Sequence, residues 1–261
     1  MINKPLNTNV IISLRYVFLF TLLSIMLVTI TCENYAFAAT YNYTPSFTAT
    51  GSNKLDVPDA SNLRLSSFTV ATWFKTTANF PDEGVMVNKG GLGSESTGAN
   101  QNYGIWFTPS ERLQGGFETT GGSNKYVTST NAYNDGQWHH GVVTFDNSNN
   151  IVRLFVDGVQ IGTLSTTSNP DNIGSQPLRI ACNAQSLTED FFIGQLDEVG
   201  VWNRALTSAE ITDLKHNGMF APSGLVYRNS FGLAPAALPP TIDIIKKAPL
   251  PNDLPLTNPL S

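Results

Sequence analysis

Apolar and polar residues alternate with a period of two in several short runs along this chain. In the clearest run, "SFTVATWFK", two sets of side chains fall on opposite sides: Phe68, Val70, Thr72 and Phe74, and Thr69, Ala71, Trp73 and Lys75. A period of two predicts a β-strand, and apolar residues on both sides favour a central strand covered on both faces. Further strands are predicted between clusters of Gly, Pro, Asn and Ser, in "GVMVNK", "NYGIWFTP", "RLQGGFET", "KYVTST", "QWHHGVVTFD", "PLRIACN" and "FFIGQLDEVGVWN".

Two local motifs add a hairpin and a helix to these strands. Asp157 and Gly158 lie between two β-rich runs in "IVRLFVDGVQIGTL", and Asp-Gly is the preferred pair for a tight two-residue turn. In "LTSAEITDLKHNG", Thr207 and Glu210 form a capping box, and Gly218 suits the end of a helix. We therefore expect one short helix, followed by a last strand in "GLVYRNSF".

The N-terminal residues have the pattern of a secretory signal peptide. Lys4 and Arg15 precede an apolar run from Tyr16 to Ile30, and an A-x-A sequence follows at residues 36–38. A positive start, an apolar middle and a small-residue exit predict a cleaved signal over residues 1–38 and a secreted or cell-surface protein. The alternative is an uncleaved membrane anchor. No later stretch is long enough to cross a bilayer, so no membrane span is expected after the signal is removed.

The rest of the chain divides at about residue 230. Residues 39–230 carry the strand pattern and the single helix, which together predict one all-β domain built as a two-sheet sandwich or jelly roll. Residues 231–261 contain repeated prolines and, beyond Phe231, no aromatic residue. Because proline lacks a backbone donor, this segment is predicted to be a disordered tail rather than part of a sheet.

Composition excludes some functions and leaves others open. Only 13% of the residues are charged, and the net charge of −5 gives no electrostatic basis for binding nucleic acid. Removal of the signal leaves Cys182 as the only cysteine, so no internal disulfide is expected. Cys182 lies between apolar residues in "PLRIACN" and is predicted to be a small buried side chain.

The motifs together resemble those of laminin-G-like, concanavalin-A-like lectin and glucanase domains. The resemblance is carried, from about Lys54 to Gly218, by "FTVATWFK", "VNKGG", "NYGIWF", "DGQWHHGVVTFD", "VRLFVDGVQIG", "PLRIA" and "IGQLDEVGVWNRALTSAEI". It implies a jelly roll of two packed, curved antiparallel sheets with one short helix.

The resemblance also implies a structural Ca²⁺ ion. Domains of this fold often hold one with an Asp near the last strands, and Asp197 in "QLDEV" matches that position. One Asp is a weak fingerprint for an ion that takes six to eight oxygen ligands. The alternative is that Asp197 and Glu198 cap turns or pair with Arg204 and Arg179.

No catalytic residue is identified. Retaining glycosidases need two carboxylates about 5–5.5 Å apart. The glucanases that the chain resembles carry them on one E-x-D-x-x-E strand, and no E-x-D occurs here. The pairs Glu189-Asp190 and Asp197-Glu198 would point apart on a strand, so we expect the acidic groups not to converge into a paired reaction centre.

Aromatic residues are the remaining candidates for chemistry or binding. His139 and His140 are adjacent on a predicted strand, so they point to opposite faces, cannot bind one ion together, and have no visible orienting partner. Trp73, Trp138 and Trp202 lie in alternating runs and are predicted to be core. Trp106 is expected closest to the concave face, where sugar rings stack.

From these features we expect a secreted, non-catalytic binding or adhesion module for carbohydrate or an extracellular glycoprotein. Two alternatives stay open: a glycan-processing hydrolase or lyase of the same fold, and a structural cell-surface component tethered through the proline-rich tail.

Overall fold

Two antiparallel sheets form this domain in the computed structural model, which describes residues 45–48, 54–93, 95–183, 190–217 and 223–231. The predicted signal peptide, most of the proline-rich tail and Gly218 lie outside the described residues. The strands in chain order are β1 Ser46–Phe47, β2 Leu55–Val57, β3 Phe68–Lys75, β4 Gly84–Lys89, β5 Tyr103–Phe107, β6 Arg112–Glu118, β7 Asn124–Ala132, β8 His139–Asp146, β9 Ile151–Val156, β10 Val159–Ser165, β11 Leu178–Ile180, β12 Gly194–Trp202 and β13 Leu225–Asn229.

The strand order gives a sandwich of two layers. The first sheet has the order β1-β12-β3-β8-β9-β10, with β13 also pairing with β12, and the second has the order β2-β11-β4-β5-β6-β7. A short 3₁₀ turn, Ser61–Leu63, precedes β3, and the α-helix α1, Ser208–Asn217, follows β12. The prediction of an all-β sandwich of two antiparallel sheets with one short helix is confirmed. No helix among the described residues is long and apolar enough to span a membrane.

The main core lies between the sheets. Phe68, Val70 and Phe74 of β3 pack there against residues of the second sheet, including Ile105 and Phe117. A second, smaller apolar cluster lies on the outer face of the first sheet, where α1 packs with Ile211 and Leu214 against Ala71, Val142, Phe155 and Trp202. Strand β3 is therefore covered on both faces, as its alternation predicted.

The predicted local motifs form as expected. Asp157 and Gly158 take positive φ values of 53° and 81° in the turn between β9 and β10. The backbone N–H of Thr207 donates to Oε2 of Glu210 at 2.8 Å, and the backbone N–H of Glu210 donates to Oγ1 of Thr207 at 3.3 Å. Both halves of the capping box are thus present at the start of α1.

Candidate ligand-binding face

The outer face of the second sheet is the face of the sandwich that α1 does not cover. Strand register decides which side chains point there, because residues paired across an antiparallel ladder share a face. Trp106 of β5 pairs with Gln114 of β6, and Gln114 pairs with Thr128 of β7. Two residues before Trp106 in β5, Gly104 pairs with Gly116, and Gly116 pairs with Tyr126. Their neighbours Tyr103, Ile105 and Phe107 point into the core instead.

Two adjacent glycines and two aromatic rings form the floor of this face. Gly104 and Gly116 have no side chain, so the outer face of the sheet consists of backbone alone at these two positions. The ring centroids of Trp106 and Tyr126 lie 4.7 Å apart in an edge-to-face arrangement. Trp106 is 0% exposed, whereas Tyr126 is half-buried.

Glu118, at the end of β6, links this floor to residues 90–102. Its Oε1 accepts the hydroxyl of Tyr126 at 2.7 Å and the backbone N–H of Gly93 at 3.4 Å. Its Oε2 accepts the backbone N–H of Gln101 at 3.0 Å. Burial raises the pKa of Glu118 above its ordinary value, although these hydrogen bonds oppose the shift. The carboxylate therefore joins Gly93 and Gln101 to the floor.

Gln101 and Glu95 belong to the same group of polar side chains as Glu118. We name Glu95, Gln101 and Glu118 the cradle. Gln101 is 0% exposed, and a Cβ placed on Gly104 would lie 2.4 Å from its Nε2. The Gln101 amide thus lies directly on the glycine floor. Burial, followed by the charge of Glu118, raises the pKa of Glu95.

A second acidic group lies at the beginning of β4, and we name Asp82, Glu83 and Asp190 the acidic rim. One carboxylate oxygen from each of these residues lies within 4.8 Å of the others. The backbone carbonyl of Asp190 accepts the N–H of Val85 at 3.2 Å, which anchors the segment after residue 189 beside β4. Burial, with Asp82 and Asp190 adding to it, raises the pKa of Glu83 to about 7. Three acidic groups therefore do come together here, while the expectation that no paired reaction centre forms stays a prediction.

Acidic groups predominate around Tyr126 on this face. Among the described residues, Glu83, Glu95 and Glu118 form no ion pair, and the charged groups that shift their pKa values are all acidic. The charges of Glu118, Glu95 and Glu83 also reach Tyr126 and help to raise its pKa. Glu83, Glu95 and Glu118 therefore each act electrostatically on the Tyr126 hydroxyl.

The two histidines point to opposite faces of β8, as predicted. His140 is buried against Trp73, with ring centroids 5.2 Å apart. Nδ1 of His139 lies 2.8 Å from Oδ2 of Asp157, and its Nε2 lies 3.2 Å from Oδ1 of Asp135. His139 therefore has two orienting partners that the sequence did not reveal. Both histidines lie in the first sheet, so they do not belong to the candidate face.

The tryptophan predictions are confirmed for two residues and wrong in part for two. Trp73 and Trp202 are core, at 1% and 0% exposure. Trp138 lies just before β8 and is half-buried rather than core. Trp106 faces outward from the second sheet, but Tyr126 packs on it and no surface is left for a sugar ring to stack on directly.

Asp197, the predicted calcium ligand, lies far from this face in β12, at a register shift between Asp197 and Gly200. Its Oδ1 accepts the N–H of Glu198 at 2.8 Å, and its backbone carbonyl accepts the hydroxyl of Thr72 at 3.1 Å. These contacts fit a residue that stabilises a bulge, and the only group of three acidic ligands among the described residues is the acidic rim. Calcium at Asp197 stays a prediction.

In the ion pairs that the structure describes, Arg204, Arg179 and Glu198 have other partners than those the alternative predicted. Arg204 pairs with Glu210, its Nη1 lying 3.0 Å from Oε2, and Nε of Arg179 donates to Asp56 at 2.8 Å. Glu198 instead faces Arg228, at 3.5 Å. Cys182 is buried, as predicted, its thiol donates to the backbone carbonyl of Asn183 at 3.3 Å, and burial raises the pKa of the thiol to about 11.

Comparison with known proteins establishes the family. Residues 49–212 match the laminin G-like family described as the concanavalin A-like lectin/glucanases superfamily. The match spans more than half of the chain, and the protein belongs to this family. Comparison with curated protein sequences gave no match.

Solved structures share the fold at low sequence identity. A protein from Bacteroides ovatus whose structure was described as that of a "putative carbohydrate binding protein" is 17% identical, with a TM-score of 0.55, over 72% of this chain and 50% of its own. The chain thus spans half the length of that protein. The CBM40 module of an IT-sialidase from Ruminococcus gnavus is 14% identical, with a TM-score of 0.52, over 68% of this chain and 98% of its own. The NanB sialidase from Streptococcus pneumoniae is 15% identical, with a TM-score of 0.50, over 66% of this chain and 27% of its own.

Proposed function

We propose that the protein is a secreted carbohydrate-binding module whose ligand lies on the outer face of the second sheet. The observation that carries the proposal is the group of carboxylates and amides gathered around the half-buried Tyr126. Carboxylates accept hydrogen bonds from sugar hydroxyls, and amides both donate and accept them. The predicted signal peptide supports secretion, and adhesion to a glycan-bearing surface would follow from such binding.

Charge narrows the class of glycan. The Ruminococcus gnavus module has been solved bound to α2,3-sialyllactose, an acidic sugar. In the present protein, Glu83, Glu95 and Glu118 on this face form no ion pair among the described residues, and like charges brought together are costly. The ligand class that fits this face is therefore a neutral, hydroxyl-rich glycan rather than a sialylated one.

An array of defined oligosaccharides tests this proposal. We expect the secreted chain to bind neutral glycans and to leave sialylated ones unbound. Replacement of Tyr126 by Phe removes the hydroxyl that Glu118 accepts, and should weaken binding to the array. The variant Asp213→Asn changes an exposed residue of α1 and serves as the control. Binding only to sialylated glycans, or to none, would overturn the proposal.

Glycan hydrolysis is the second candidate function, and the acidic rim is the observation that favours it. A carboxyl whose pKa is near 7 beside other carboxylates is the pattern of a general acid. Release of reducing sugar from a mixture of polysaccharides by the native protein, and its loss in Glu83→Gln, would establish hydrolysis. We favour binding, because one oxygen from each of the three carboxylates lies within 4.8 Å of the others, closer than the about 5–5.5 Å of a retaining pair.

A further inference from the structure

Asp171 joins two connections that are distant in the sequence. It lies in the connection between β10 and β11 and is 2% exposed. Its Oδ2 accepts the backbone N–H of Gly98 at 2.6 Å and the side-chain amide Nδ2 of Asn100 at 2.9 Å. Its backbone N–H donates to the carbonyl oxygen of Glu118 at 2.8 Å. One buried residue therefore links the end of β6 to residues 95–101, which we name the border loop.

The backbones of the two connections touch at a pair of glycines. Gly98 has a φ of 85°, which a residue with a side chain rarely adopts. A Cβ placed on Gly174 would overlap the carbonyl oxygen of Gly98. No side chain fits at position 174 while the two connections keep this arrangement. The glycine contact and Asp171 therefore hold the border loop at the same point.

The other attachment of the border loop is Glu118, which leads to the candidate face. Oε2 of Glu118 accepts the backbone N–H of Gln101 at 3.0 Å, and its Oε1 accepts the hydroxyl of Tyr126 at 2.7 Å. Glu95, the first residue of the border loop, is half-buried, and its charge reaches Tyr126. Thr97 is exposed. The border loop therefore carries polar groups next to the ring on which the proposed function depends.

We propose that Asp171 is a positioning residue of the candidate face. By holding the border loop, Asp171 keeps Glu95 beside Tyr126. The inference rests on the proposed function, because the position of the loop matters to a ligand only if glycan binds on this face. A loop that is ordered before binding loses little conformational entropy when the ligand is bound, whereas a loose loop must be ordered at that moment. Asp171 is too deeply buried to contact a ligand itself, so it acts through the loop.

The matched variants Asp171→Asn and Asp171→Ala test whether these hydrogen bonds hold the loop. Both donors bond to Oδ2 of Asp171, and its Oδ1 is buried without a hydrogen-bond partner. An asparagine can therefore keep both hydrogen bonds through its one carbonyl oxygen, whereas an alanine removes both. Gly174→Ala is an independent variant, because it leaves Asp171 in place and forces the two backbones apart. Asp213→Asn changes an exposed residue of α1 and is the control.

Cleavage of the full secreted chain by a glutamate-specific protease measures the loop without glycan. Mass spectrometry follows the bond after Glu95. The native protein, Asp171→Asn and Asp213→Asn should be cleaved slowly there. Asp171→Ala and Gly174→Ala should be cleaved about tenfold or more faster, because the loop opens more often once its attachment is lost. If melting curves show that Asp171→Ala does not fold, Gly174→Ala gives the same comparison. Equal cleavage of the native protein and a folded Asp171→Ala would overturn the inference.

Affinity for the neutral glycan that binds best on the array measures the effect on the candidate face. We expect Asp171→Ala and Gly174→Ala to bind about tenfold more weakly, and Asp171→Asn to bind as the native protein does. Native affinity in Asp171→Ala, despite faster cleavage, would overturn the inference. An equal loss in Asp171→Asn would overturn it as well, because the charge rather than the hydrogen bonds would then matter. If the native protein binds no neutral glycan, the proposed function fails, while the cleavage rates still decide whether Asp171 holds the loop.

Discussion

Nδ1 of His139 lies 2.8 Å from Oδ2 of Asp157, which joins the beginning of β8 to the turn between β9 and β10. The other oxygen of the same carboxylate accepts the backbone N–H of His140 at 3.0 Å. Nζ of Lys215, in α1, donates to the backbone carbonyl of Asp157 at 3.0 Å. One turn residue therefore ties together β8, the hairpin and the helix on one side of the sandwich.

The stabilising effect of His139 should depend on pH. Burial lowers the pKa of His139, but the hydrogen bonds and charges of Asp157 and Asp135 outweigh burial and hold it above its ordinary value of 6.5. The contribution of His139 to the free energy of unfolding is therefore fully present below about pH 6.5 and is lost as the pH rises through the raised pKa of the folded protein. The variant His139→Gln should lose most stability, relative to the native protein, in acid. Urea unfolding at several pH values measures this difference, and a difference independent of pH would contradict it.

His140 should show the opposite dependence. Burial lowers its pKa from 6.5 to about 4, although the nearby Asp157 opposes the shift. Between these values the unfolded chain binds the proton that the folded protein excludes, so stability falls as the pH drops. The variant His140→Phe keeps an aromatic ring against Trp73. Its melting temperature should depend less on pH, between pH 6.5 and pH 4, than that of the native protein. If the melting temperature of the variant falls with pH as steeply as that of the native protein, groups other than His140 cause the loss of stability in acid.

Glu198 should destabilise the fold at alkaline pH. Burial raises its pKa from 4.5 to about 7, with Arg228 opposing and Asp197 adding to the shift. Because this pKa is raised, the favourable contribution of protonated Glu198 to the free energy of unfolding is present below about pH 4.5. It is lost as the pH rises through 7. We expect Glu198→Gln to melt higher than the native protein at pH 8, and the two to converge near pH 4. Calorimetry at both pH values checks this, and a lower melting temperature of the variant at pH 8 would contradict it.

The capping box should be worth a measurable part of the stability. Thr207→Ala removes the hydroxyl that accepts the N–H of Glu210 and should cost about 1 kcal/mol in the free energy of unfolding. Ser208→Ala, one residue further on, lies inside the helix and is the matched control. Chemical denaturation of both variants gives the comparison, and equal losses would refute a specific capping role for Thr207.

The sequence predicts those parts of the fold that depend on neighbouring residues. The alternation around Phe68 and Trp73 gives both the strand and its two covered faces. The turn at Asp157 and Gly158 and the cap at Thr207 follow from conformational preferences of the residues themselves. The calcium expectation at Asp197 came from resemblance alone, and the contacts of Asp197 leave it as a prediction.

The candidate face depends on residues that are distant in the sequence. Asp190 reaches Glu83 only because the segment after residue 189 lies beside β4, and a rule for carboxylates on one strand cannot detect this. Alternation places Trp106 correctly on the outer side of β5, but its burial depends on Tyr126. His139 has Asp157 as a hydrogen-bond partner only because the hairpin of β9 and β10 folds back beside β8. Among these features, only the alternation around Trp106 gave a signal that sequence reasoning could use.

The indole N–H signals in a proton–nitrogen NMR spectrum test most directly whether the outer face of the second sheet binds glycan. Trp106 lies beneath this face, whereas Trp202 lies under α1 on the opposite side of the sandwich. On titration with the neutral oligosaccharide that binds best on the array, the signal of Trp106 should shift in a saturable manner while that of Trp202 stays in place. A saturable shift of Trp202 with Trp106 unmoved would contradict the account.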